Sequence, residues 1–186
     1  MGVTTAPLRK DAARNWQRIL DVGRRLVDDE APIQLNEVAR SAEVGVATVY
    51  RHFPTPEALV ETIATPGLEA LADRPPTGDP WEALRDFLHA AIEAQTSDPA
   101  IATTLAAPHD ALPHTTELKQ RLHARFAELL DRAHKAGVID PAVTAADIAP
   151  LMCGVAFAAK VHPGDRAATA RRYLDILFDG LRSRVS

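Results

Sequence analysis

Along almost the whole chain, apolar side chains recur at three- and four-residue intervals in segments rich in Ala, Leu, Glu and Arg, and alternating β-branched runs are confined to brief stretches such as VGVATVY at residues 44–50. That interval is the turn of an α-helix, and these residue types lose little on entering one. The sequence therefore predicts an all-α protein. Its 186 residues suffice for one large domain or a small domain fused to a larger one. The longest stretch without charged or strongly polar side chains, residues 148–159, has twelve residues and includes Pro150, against the roughly 20 that a bilayer span needs. No membrane span is expected, and the N-terminal MGVTTAPLRKDAARN lacks the apolar core of a secretory signal. Cys153 is the single cysteine, which rules out an intramolecular disulfide and fits a reduced, cytoplasmic setting.

Breakers and capping residues divide the pattern. A first helix, about Asp11 to Asp28, sets Trp16, Ile19, Leu20, Gly23, Leu26 and Val27 on one stripe, with Arg14, Arg18, Arg24 and Arg25 off it. In LNEVARSAEVGVATVYRHF, Leu35, Val38 and Ala39 form one short stripe and Val44, Val49, Tyr50 and Phe53 another. That is the signature of two short helices joined by a tight turn near Ala42 to Gly45, a helix-turn-helix. Thr55-Pro56-Glu57 opens a fourth helix, with a hydroxyl cap, proline at the first helical position and an acid near the positive end of the dipole. Pro66-Gly67 reads as an interruption, and residues 75–80 are the densest breaker cluster. The expected division is a helix-turn-helix unit over 1–64, a linker over 65–79 and a larger helical unit over 80–186. Later helices are expected at about Pro80 to Thr96, Pro99 to Ala107, Thr115 to Ala136, Ala145 to Lys160 and Asp165 to Arg184. Gly137 should close the third of these in a left-handed conformation. Thr144 and Asp147 form a variant capping box, although Pro150 argues for an early bend or a later start.

A helix-turn-helix offers one helix to the DNA major groove, which is about 12 Å wide. With Val49 and Phe53 inward, the second helix leaves Val46, Ala47, Thr48, Arg51 and His52 outward and Tyr50 at the boundary. Hydroxyl, phenol, guanidinium and imidazole groups suit phosphate oxygens, and small apolar side chains at the leading end suit thymine methyls. Bulk charge gives no help, since 21 basic side chains face 25 acidic ones. Local charge does: residues 8–25 carry Arg9, Lys10, Arg14, Arg18, Arg24 and Arg25 against Asp11 and Asp21. A helix-turn-helix that binds no DNA, with Tyr50 simply in the core, is the plainer reading of the spacing alone.

The run ARNWQRILDVGRRLV, then LNEVARSAEVGVATVYRHF, then PTPEALVETI, resembles the N-terminal domain of the TetR family of bacterial transcriptional regulators over about 50 of the 186 residues. Its most specific part is the V-x-x-x-T-V-Y-R-H-F run with Leu59 after it. The resemblance implies that Thr48, Tyr50 and His52 contact DNA, often with Arg51, that Val46 and Ala47 face bases, and that Asn36 reaches the duplex. It further implies an all-helical homodimer on a near-palindromic operator, and a C-terminal domain that binds a small-molecule effector and then releases DNA, as in a repressor. Three residues depart from the family pattern. Glu43 stands where glycine is usual in the turn, Gly45 replaces a Ser or Thr cap, and Pro56 replaces a frequent phosphate-contacting lysine.

In the second unit, the helix from Ala145 to Lys160 is apolar nearly all round, so it needs cover on two sides. Ile148, Leu151 and Val155, with Tyr173, Leu174, Leu177, Phe178 and Leu181 of the last helix, are expected to form an isologous four-helix interface; a central helix buried in a monomer is the alternative. An effector pocket is expected among Trp81, Leu84, Leu88, Leu105, Leu122, Phe126, Leu130 and Met152, with His89, His123 or Thr104 as polar anchors. A metal-dependent enzyme would have to use His109, Asp110, His114, His123 and His134, but no ligand-pair spacing supports it. Cys153 lies in the most apolar segment, where a thiolate is disfavoured. No catalytic residue, metal or cofactor is therefore expected, and a helical ligand-binding or scaffolding protein with weakened DNA binding is the other reading.

Overall fold

The computed structural model describes residues 6–182, with side chains from residue 11 onward except at Ala149. Among the described residues there are nine helices, α1 (Ala6–Asp28), α2 (Leu35–Ser41), α3 (Val46–His52), α4 (Pro56–Ala72), α5 (Pro80–Ser97), α6 (Pro99–Ala106), α7 (Pro113–Lys135), α8 (Ala145–Val161) and α9 (Arg166–Leu181). No strand occurs among them; an isolated antiparallel bridge joins Ile139 to Arg182. None of these helices is long and apolar enough to cross a membrane.

Most starts are set by side-chain caps. The Thr55 hydroxyl accepts from the Ala58 N–H at 3.2 Å, Asp79 from Trp81 at 2.9 Å, Asp98 from Ala100 at 2.8 Å and Asp165 from Ala168 at 2.6 Å. Each satisfies an amide that the first turn leaves without a helical partner. Before α8, the Asp147 carboxylate accepts from both the N–H and the hydroxyl of Thr144, at 2.9 and 2.6 Å. The helix therefore starts at Ala145 despite Pro150, whose missing N–H orphans only a first-turn carbonyl. Gly137 closes α7 at φ 68°, with its N–H on the His134 carbonyl at 2.9 Å.

α4 corrects the expected interruption: it runs unbroken through Pro66 and Gly67. Pro66 is exposed, so its ring meets no packed neighbour, and Gly67 faces Ile101 of α6. A Cβ at Gly67 would collide with Ile101 Cδ1. The same device joins α1 to α4, where a Cβ at Gly23 would stand 2.9 Å from Ile63 Cδ1. α4 packs against α1, α5, α6 and α7, and a continuous apolar cluster extends from Ile19, Val49 and Phe53 through Leu59 and Leu68 to Leu84, Leu118, Leu129 and Leu174.

Polar ties cross the same junction. Arg24 donates to Asp98 at 2.7 Å and to the Ile63 carbonyl at 3.0 Å. Glu61, 3% exposed, accepts from the N–H groups of Ala111 and Leu112 at 2.6 and 2.9 Å. Lys160 at the end of α8 pairs with Glu30 just beyond α1 at 2.7 Å.

Candidate nucleic-acid interface

α2 and α3 are each seven residues long and are held by few side chains. Leu35, Val38 and Ala39 anchor α2, and Val49 and Phe53 anchor α3 and its exit, all buried. The turn between them is made by Glu43 at φ 53°, with its N–H on the Arg40 carbonyl at 3.2 Å and the Val44 N–H on the Ala39 carbonyl at 3.0 Å. This is the left-handed geometry for which glycine is favoured. Glu43 adopts it with its carboxylate on Arg18 Nη2 of α1 at 3.0 Å, a surface ion pair. Gly45 precedes α3 in extended conformation with no side-chain cap, so the first amides of α3 have no side-chain acceptor from it.

With α3 anchored by Val49, its other face is open. Val46, Ala47 and Arg51 are exposed, and Tyr50, 46% exposed, lies outside the core. Asn36 is exposed on α2, and Thr48 is half-buried. His52 differs from the outward placement read from the sequence. Its ring meets Trp16 of α1 edge-on at 5.2 Å, and its Nε2 is buried without a hydrogen-bond partner. Trp16 in turn stacks on Phe53 at 4.7 Å. The α1 cations also divide differently. Arg14 pairs with Asp11 and Arg18 with Glu43, while Arg24 is drawn into the junction by Asp98. The side chains of Arg9 and Lys10 lie outside the described residues. The ties of Arg24 and Glu61 were missed from sequence, since their partners lie 74 and about 50 positions away.

Two family models match the chain. That for bacterial regulatory proteins of the tetR family covers residues 19–63, and that for the C-terminal domain of SbtR-like transcriptional regulators covers residues 79–183, more than half of the sequence. The chain belongs to the TetR family of transcriptional regulators. Among solved structures, a TetR transcriptional regulator from Streptomyces coelicolor is 30% identical with a TM-score of 0.56, over 91% of this chain and 99% of that one. A TetR regulatory protein from Mycobacterium vanbaalenii is also 30% identical, with a TM-score of 0.53 over 95% of this chain and 100% of that one. The ketosteroid regulator KstR2 of Mycobacterium tuberculosis, at 17% identity and a TM-score of 0.63 over 92% and 96% of the two chains, shares the fold. An HTH-type transcriptional regulator of Staphylococcus aureus is 42% identical over 48 residues; the match spans about a quarter of each protein, 25% of this chain and 26% of that one.

In the C-terminal part of this TetR-family regulator, Leu88, Leu105, Leu122, His123, Phe126 and Met152 line a common cavity of about 140 Å³. Trp81 is not among them. It packs edge-on against Phe178 at 5.7 Å, under the Arg182 guanidinium at 4.9 Å from the ring. Leu84 and Leu130 are core residues away from this cavity, His89 contacts Phe178 and Asp175, and Thr104 lines a different space described below. His109, Asp110, His114, His123 and His134 form no metal-holding group of three or more among the described residues.

The α8 and α9 residues split into two sets. Ile148, Leu174, Phe178 and Leu181 are buried within their own chain, in contrast to the outward placement expected from sequence. α9 packs on α5 as well as α8, and it spends this half of its stripe there. Leu151, Val155, Tyr173 and Leu177 line a shallow groove together with Ile176, which is 61% exposed. Phe157, 67% exposed, adds to the apolar surface of α8.

Proposed function

We propose that this regulator is a repressor that binds a near-palindromic operator as a homodimer, with α3 in the major groove. The solvent-facing row Val46, Ala47, Tyr50 and Arg51, held outward by the burial of Val49 and Phe53, carries this reading. Tyr50 and Arg51 reach phosphate oxygens, Val46 and Ala47 meet base edges, and Asn36 and Thr48 add contacts at the helix starts. His52 acts chiefly by bracing α3 against Trp16. The exposed faces of α8 and α9 form the dimer interface, placing two recognition helices about 34 Å apart or a multiple of it. The 140 Å³ cavity, below the roughly 300–1,000 Å³ usual for drug-sized ligands, takes a compact effector. Residues 1–64 act as the DNA-binding unit and 80–186 as the effector and dimerisation unit. The protein works in the cytoplasm and is not an enzyme.

Mobility shift of the purified protein on the DNA upstream of its own coding region tests this. The expected result is a salt-sensitive complex. Arg51→Ala weakens it across sequences and lowers the salt slope by about one, and Tyr50→Phe weakens it severalfold. Absence of any salt-sensitive shift, or a complex indifferent to both substitutions, would overturn the reading.

A further inference from the structure

A cavity of about 480 Å³ opens at the junction between the helix-turn-helix unit and the C-terminal bundle, apart from the smaller cavity among α5, α7 and α8. Its wall is apolar along Val27, Ile33, Val60 and Ala102, and polar where Thr104, Lys160 and Arg166 enter it. Its volume falls within the span of about 300–1,000 Å³ that small-molecule sites occupy.

The polar groups are incompletely used. Thr104 is 2% exposed and its hydroxyl has no hydrogen-bond partner; the Nε of Arg166 is likewise buried and unpartnered. Leaving such groups unmet is costly. Two of the three acids on the same wall are committed elsewhere. Glu61 accepts the two backbone amides of the α6–α7 loop, Glu30 is held by Lys160, and Glu57 is exposed in the first turn of α4. Arg166 has no ion-pair partner within 4 Å among the described residues, and Glu30, already held by Lys160, acts on its charge only at longer range. What the cavity lacks is an anion joined to an apolar body.

The geometry points to a second ligand site here, for an organic carboxylate with an aliphatic or aromatic tail. The carboxylate pairs with the Arg166 guanidinium, which offers the fork that matches it, and accepts from the Thr104 hydroxyl. The tail lies along Val27, Ile33 and Val60. A carboxylate placed there also competes with Glu30 for Lys160, the tie between the ends of α1 and α8, so its binding shifts the helix-turn-helix relative to the bundle. This regulatory consequence rests on the DNA-binding reading; the binding of the acid does not.

Calorimetric titration of the full-length protein with decanoate, 4-phenylbutyrate and the neutral 1-decanol tests the site. At least one acid should bind about tenfold tighter than the alcohol, and Arg166→Gln should remove about that factor. Arg166→Lys should restore part of it, which separates loss of charge from loss of fold, and Thr104→Val should weaken the acid severalfold. Ala102→Trp should block binding, and Ala91→Phe, in the smaller cavity, should leave it intact. No heat with either acid, equal affinity for acid and alcohol, or wild-type affinity in Arg166→Gln would overturn the site. So would loss of binding with Ala91→Phe and not with Ala102→Trp. On operator DNA, the bound acid should weaken wild-type binding and leave Arg166→Gln unaffected. Acid binding without that effect overturns the coupling alone, and a protein that binds acid and no DNA at all overturns the regulator reading alone.

Discussion

At the scale of single residues, Glu43 shows how the turn tolerates a departure from glycine. Its backbone occupies the left-handed region at φ 53°, and its carboxylate meets Arg18 at 3.0 Å. An exposed pair of this kind contributes at most about 1 kcal/mol, while the conformation costs a non-glycine residue about 1–2 kcal/mol. Glu43→Gly should therefore exceed Glu43→Ala in stability by about 1 kcal/mol, read from paired urea denaturation curves; equal midpoints would refute the strain. The need for this geometry was legible in the sequence, because spacing placed a tight turn at residues 42–45. The contact with Arg18 was not, since it depends on how α1 crosses α2. His52 was misjudged for a related reason: helical phase puts it outward on α3, and only the crossing of α1 brings the Trp16 ring over it.

Element by element, periodicity and capping chemistry located the helices to within a few residues, because Thr55, Thr144 and Gly137 each mark a boundary by local bonding. Pro66-Gly67 misled for want of tertiary information. A proline on the solvent side of a helix is tolerated, and the glycine beside it serves the close passage of α6. Gly67→Ala should then destabilise the protein by about 1–3 kcal/mol through displacement of the buried Ile101. Adding Ile101→Val should recover part of that loss in thermal melts, whereas a neutral Gly67→Ala would remove the packing role. Facing apolar positions on α5, α7 and α8 were readable in the sequence and line the 140 Å³ cavity, but Trp81 lies outside it, since its stripe alone does not reveal that α9 covers it.

Across the whole molecule, the apolar surface of α8 and α9 is the interface of the proposed dimer. Phe157→Glu and Ile176→Glu place charges where the monomer core is untouched, so light scattering should show dimer giving way to monomer while the monomer stays folded. A variant that remains dimeric would displace the interface. Acid stability is a second global property. Hydrogen bonding and charge from Lys160 hold Glu30 below the ordinary carboxylate range, and the Thr144 hydroxyl and amide do so for Asp147. At Asp110, burial pushes upward, but bonds from Lys119 and Thr116 prevail and the net shift is downward. Carboxyls depressed in the folded state stabilise it fully above about pH 5, and that contribution fades as pH drops below about 4 toward their depressed values. Melting temperature should fall over that interval, and Asp110→Asn should make the fall shallower; superimposable acid limbs would contradict the assignment. The two tryptophans are shared out one to each half of the chain, Trp16 stacked beside the recognition helix and Trp81 beneath Arg182. With Trp81→Phe, ultraviolet emission from the remaining indole becomes a label-free gauge of that helix, free to report its engagement with a duplex in real time.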